Sequence, residues 1–81
     1  MQPEGLEDRT RRVVADVLGL PFDQVTLTTS NSTVKNWDSV NMVNLLMAVE
    51  SEFSVELSID DAARLLSVSD ILEVLRSRGL T

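Results

Sequence analysis

Apolar residues recur at helical spacing in successive stretches of this chain, and no stretch alternates in the manner of a half-buried strand. That pattern predicts an all-helical fold. Leu6, Val13, Val14, Val17 and Leu18 form the first set behind Pro3, and Gly19, Leu20 and Pro21 end it as a C-terminal glycine and proline should. Helix one is therefore expected over residues 4–18. A Thr-, Ser- and Asn-rich connection follows over 21–37, with Phe22, Val25, Leu27 and Val34 as its candidates for pinning onto a core. It is long for a compact domain, so it is either functional or holds a short turn of helix. Asp38 opens the strongest helical segment, which runs to about Phe53. A short third helix is expected around Asp60 to Leu66. Ser67 opens a last helix with Val68, Ile71, Leu72 and Leu75 on one face, Ser67 and Asp70 reading as a capping box and Gly79 ending it.

Eighty-one residues suffice for one domain over 1–81, with four helices packed as a small bundle. A large buried substrate pocket is not expected at that size. Thirteen acids against seven bases give a net charge of −6, which argues against nucleic acid and anionic membranes as partners. Most of the excess lies late: residues 38–81 carry eight acids against three arginines. With no cysteine and no histidine, the chain lacks a thiolate, a disulfide, and the usual imidazole base or metal ligand. No metal site and no catalysis are expected. Residues Met1 to Asp8 are acidic and polar and no long apolar run exists, which predicts a cytoplasmic protein that does not insert into membranes.

The segment from Asp38 to Phe53 is apolar on two sides. On a helical wheel with Ser39 at 0°, Leu45, Met42, Val49, Phe53 and Leu46 fall between about 240° and 340°, the natural core face. Val40, Val43 and Met47 cluster separately between about 40° and 100°. This second stripe either packs under the long loop or the third helix, or stays exposed for a docking partner. It begins one residue after Ser39, at a helix amino terminus whose unpaired N–H groups and dipole favour a phosphate. Local chemistry also accounts for these residues without any ligand: Asp38 is a preferred N-cap, and Trp37 with Met42 occupies the positions of a hydrophobic staple.

The run Trp37-Asp38-Ser39-Val40 stands where the acyl carrier protein family has its Asp-Ser-Leu signature, and the whole chain resembles that family. Leu18-Gly19-Leu20, Val25-Thr26, the stretch Met47 to Phe53, Asp61-Ala62 and Ser67-Val68 look like its landmarks, in order and at suitable spacing. The resemblance implies an acyl-carrier-like four-helix bundle with a long first loop and a short third helix. It implies that Ser39 is esterified by 4′-phosphopantetheine from coenzyme A, whose thiol carries acyl groups as thioesters. The missing cysteine is then intelligible, because the working thiol comes with the cofactor. Asp38 and Trp37 would support attachment, Asp38 by helping to place the phosphate. Val40, Val43 and Met47 become the docking stripe for a phosphopantetheinyl transferase and for acyl-loading, modifying and transfer enzymes. Glu50, Glu52, Asp60 and Asp61 would steer basic patches on those partners. Leu46, Ala62 and Leu65 would wall a cavity for the acyl chain, or simply pack in the core. A monomer is expected.

Departures from the family pattern bear on pathway. Val40 replaces leucine, Asn41, Asn44 and Ala63 stand where acids are common, and Lys35-Asn36-Trp37 replaces a small lead-in. These changes suggest a carrier dedicated to a specialised fatty-acid, polyketide or modified-lipid pathway, the alternative being a peptidyl carrier of a nonribosomal peptide pathway. A reading from another class is an unmodified helical adaptor that binds a partner helix through Val40, Val43 and Met47. A hydrolase using Ser39 lacks an evident base to activate it.

Overall fold

The computed structural model describes residues 5–81, so the expected start of helix one at residue 4 lies outside the described residues. Helix α1 spans Leu6–Leu18, α2 Ser39–Phe53, α3 Ile59–Ala63 and α4 Val68–Ser77. Among the described residues there is no strand, only an isolated antiparallel bridge between Ser30 and Ser67. Helix α1 packs on α2 and α4, and α3 leans on α2.

Each helix is delimited by local chemistry visible in the sequence. Gly19 takes the left-handed conformation (φ 68°), and the Leu20 amide returns to the Ala15 carbonyl at 2.9 Å, closing α1 as a Schellman motif. Asp38 accepts the Asn41 amide at 3.0 Å and starts α2. The same helix ends on Ser54 in a left-handed conformation (φ 53°), a backbone state that costs a residue with a Cβ about 1 kcal/mol. Ser67 caps α4 by accepting the Asp70 amide at 3.0 Å. The full reciprocal capping box stands at Ser58 and Asp61, at the start of α3.

The core follows the predicted faces, with Val17, Met42 and Leu46 only partly buried against it. Val13, Val14 and Leu18 from α1, Leu45, Val49 and Phe53 from α2, and Val68, Ile71, Leu72 and Leu75 from α4 are all buried, and Val74 joins them. Each such aliphatic side chain contributes about 1.5–3 kcal/mol on leaving water.

The long connection holds a short turn of helix, a 3-10 turn over Phe22–Gln24, as one of its two expected forms. Of its four pinning candidates only Val25 is fully buried, while Leu27 stays 41% exposed and serves through its carbonyl, which accepts from Ser69 Oγ at 2.8 Å. Arg11 does much of the pinning: its guanidinium donates to the Val25 and Phe22 carbonyls and lies 4.3 Å from the Phe22 ring centroid. Farther along, Asn31 N–H donates to the Leu66 carbonyl at 2.9 Å and Val68 N–H to the Thr29 carbonyl at 3.0 Å, fastening the loop to the α3–α4 junction.

Helix α3 is shorter than the expected Asp60 to Leu66. The carbonyls just beyond it are claimed by the loop, that of Leu65 by Trp37 Nε1 at 3.0 Å and that of Leu66 by Asn31. Leu65 is thereby turned wholly into the core rather than carried around another helical turn.

Candidate functional site

Ser39 is the first residue of α2, exposed, immediately after the Asp38 cap. The cap satisfies the Asn41 amide, while the amides of Ser39 and Val40 have no preceding helical turn to bond. Ser39 therefore presents a hydroxyl beside unspent N–H donors at the positive end of a helix of fifteen residues.

The lead-in to Ser39 is held from below. Trp37 is 3% exposed, with its indole N–H donated to the Leu65 carbonyl. The tryptophan that replaces a small lead-in is thus a core anchor, satisfying a carbonyl that the end of α3 leaves open. Met42, its staple partner, packs against the same core.

Beside Ser39 a groove of about 270 Å³ runs between α2 and α3, lined by Ser39, Met42, Val43, Leu46, Ile59, Ala62 and Ala63. On α2 these are the i, i+3, i+4 and i+7 positions counted from Ser39, and on α3 the i, i+3 and i+4 positions counted from Ile59. The groove is the seam where the two apolar stripes of α2 meet the small face of α3. Of the three expected wall residues, Leu46 and Ala62 line it and Leu65 does not, being in the core. Ile59, 88% exposed, and Ala63 line it too, though the sequence did not mark them as wall residues. Their signal was the spacing Ile59, Ala62, Ala63, which puts one apolar row on a very short helix. A second hollow of about 300 Å³, lined by Leu20, Gln24, Thr28, Thr29, Thr33 and Val34, lies away from Ser39.

The second stripe of α2 is not covered. Val40, Val43 and Met47 are 70%, 55% and 61% exposed, so neither the long loop nor the third helix packs over them. With Ile59 they make an apolar surface continuous with the groove rim.

The acidic residues divide. Asp60 is exposed, but Asp61 is only 8% exposed, paired with Arg78 and with both the Ser58 amide and hydroxyl engaged in its capping box. Its carboxyl is held below the ordinary carboxylate range, first by the Ser58 amide and then by Arg78. Glu50 accepts the Leu57 amide at 3.0 Å, and Glu52 pairs with Arg9 at 3.1 Å, an arginine that also lies over Phe53. Three of the four expected steering acids are therefore occupied within the fold. Asn41 and Asn44 occupy the neighbouring surface of α2, joined by a hydrogen bond of 2.9 Å.

No helix among the described residues is long and apolar enough to cross a membrane, and no group of acids there is gathered for a metal ion.

A family model described as the phosphopantetheine attachment site matches residues 8–75. Acyl carrier proteins from two serovars of Chlamydia trachomatis, D and A, are each 33% identical over 73 residues, covering 90% of this chain and 95% of theirs. The chain belongs to the acyl carrier protein family of phosphopantetheine-binding proteins. Its prosthetic group is 4′-phosphopantetheine, and it carries acyl groups on that arm. Members of this family act as carriers, served by a phosphopantetheinyl transferase and by acyl-handling enzymes. The residues present fit the group: an exposed serine hydroxyl at a helix amino terminus suits a phosphate ester, and an open apolar groove begins at that same serine.

Proposed function

We propose that Ser39 is the attachment residue and that the chain shuttles acyl thioesters between enzymes of a specialised pathway. The observation that carries this reading is the exposed Ser39 at the first position of α2, set at the mouth of the α2–α3 groove. When bound, the cofactor supplies a thiol on a flexible arm, and the held acyl group reaches each active site at high effective concentration. Ser39 Oγ holds the phosphate ester, and the Ser39 and Val40 amides, with the α2 dipole, stabilise its charge. Asp38 fixes the start of the helix and places its carboxylate next to the modified hydroxyl during attachment. Leu46 and Ala62, with Met42, Val43, Ile59 and Ala63, shelter the apolar part of the cargo. Val40, Val43 and Met47 receive the transferase and the acyl-handling enzymes, and exposed Asp60 supplies charge at the edge of that surface.

The pathway reading is supported by the surface beside Ser39. The first turn of α2 has no acid, and Asn41 and Asn44 present carboxamides in its place. Such a face suits partners that recognise apolar and hydrogen-bonding groups more than charge, in a dedicated polyketide or modified-lipid pathway of the cytoplasm. The carrier works as a monomer.

Intact mass before and after incubation with coenzyme A, magnesium and a broad-specificity phosphopantetheinyl transferase tests the attachment. The wild type should gain one phosphopantetheine on the peptide containing Ser39, and Ser39→Ala should fold and gain none. A gain that persists in the variant moves the site elsewhere. No gain in a folded wild type, with an active transferase, favours the unmodified adaptor.

A further inference from the structure

Three asparagine side chains connect the end of α1, the lead-in to Ser39 and the first turns of α2. Asn36 Nδ2 donates to the Leu18 carbonyl at 2.9 Å, one of the carbonyls that the end of α1 leaves unpaired. The Asn36 carbonyl accepts from Asn41 Nδ2 at 2.8 Å. Asn41 Oδ1 in turn accepts from Asn44 Nδ2 at 2.9 Å. Asn41 is thus gripped twice by the segment before Ser39, through its side chain at Asn36 and through its own amide at Asp38.

The chemistry of the link is demanding. In a capping box the third helical residue returns a carboxylate or carboxamide oxygen to the N-cap amide. Here the third residue must give a proton to a carbonyl, so it needs a donor, and it must also accept from Asn44. A carboxamide supplies both, the donor and the acceptor on separate atoms of one short side chain. A carboxylate at 41 keeps the acceptor, loses the donor and faces the Asn36 carbonyl with like charge.

The first turn of α2 has no preceding turn to hold it, so its geometry depends on what fixes residues 36–38. Trp37 is fixed by burial and its indole bond, and Asp38 by capping. The Asn36 carbonyl is fixed by Asn41. We propose that Asn41 is a positioning residue for phosphopantetheine attachment, which through its bond to Asn36 sets the presentation of the Ser39 hydroxyl; this rests on the reading of Ser39 as the attachment residue. A transferase must meet that hydroxyl in a narrow range of geometry, and loss of one such restraint is felt in the chemical step.

The test compares wild type, Asn41→Ala and Asn41→Asp. Initial rates of attachment are measured by intact mass over a range of carrier concentrations with coenzyme A, magnesium and a broad-specificity transferase, and amide hydrogen exchange is measured at residues 37–40. Both variants should stay folded, exchange those amides about 3- to 10-fold faster, and lose kcat by a similar factor with a smaller change in KM. The aspartate variant should do no better than alanine, because the missing feature is the donor. Exchange and kcat unchanged in Asn41→Ala would overturn the proposal. So would a change in Asn41→Asp confined to KM with Asn41→Ala active as wild type, which would assign the residue to the partner's charge reading. If wild type gains no mass at Ser39, the attachment reading fails by itself, and unchanged exchange in Asn41→Ala would then refute the ordering role separately.

Discussion

Replacing Trp37 by phenylalanine keeps an aromatic ring in the core and removes one hydrogen-bond donor. In the native fold that donor, Nε1–H, lies 3.0 Å from the Leu65 carbonyl, and Leu65 is completely buried. No other group is set to replace it, so the variant leaves a buried acceptor unpaired, which costs about 1–3 kcal/mol. The smaller ring adds a modest packing loss, of order 1 kcal/mol. The expected destabilisation is about 2–4 kcal/mol, against a total of about 4–12 kcal/mol for a chain of this length. At roughly 4–8 °C per kcal/mol, the midpoint should fall by about 8–30 °C. Far-UV circular dichroism is the appropriate probe for thermal and urea unfolding, because the variant loses the only tryptophan. The effect should also be local before it is global: amides of residues 64–67 should lose protection from exchange first. A midpoint within about 3 °C of wild type, with unaltered protection there, would refute the reasoning. It would mean that the Leu65 carbonyl finds another partner and that Trp37 acts through bulk alone.

The remaining predictions concern charge and surface. Asp61, with its folded pKa depressed by the Ser58 amide and Arg78, stabilises the fold above its unfolded pKa of about 3.9, and that contribution disappears as pH falls through the lower folded value. Asp61→Asn should therefore be less stable than wild type at neutral pH, and the gap should close in acid; a gap independent of pH in urea titrations between pH 7 and 2.5 would reject this. Val43→Gln changes a side chain that is 55% exposed, so stability should move by less than about 0.5 kcal/mol while kcat/KM for the transferase falls several-fold. Melting curves and attachment rates on the same sample decide it, and an unimpaired rate would remove Val43 from the docking surface.

The elements themselves were legible because their signals are local. Asp38, Ser67 and Gly19 act on backbone groups within a few residues, and the periodicity of α1, α2 and α4 states which side must be buried whatever it is buried against. Ser39 was singled out by the resemblance that the run Trp37-Asp38-Ser39-Val40 carries, since capping by itself accounts for Asp38 and Ser39 without a ligand. The third helix was misjudged at its end, since nothing near Leu65 announces that an indole twenty-eight residues away will take its carbonyl.

Two decisions belonged to the tertiary structure alone. One was the fate of the charges: Asp60 and Asp61 are adjacent and chemically identical in sequence, yet one stays exposed and the other is enclosed with Arg78, because only the folded chain brings that arginine, seventeen residues on and just past α4, to it. The other was the site's second wall. Residues 39–46 prescribe one side of a groove, but a groove needs a facing surface, and Ile59, Ala62 and Ala63 become that surface only when α3 is laid beside α2. Helical period and capping are short-range and were written in the order of the residues; pairing of distant polar groups and enclosure of space are long-range, and they exist only after the chain has closed on itself.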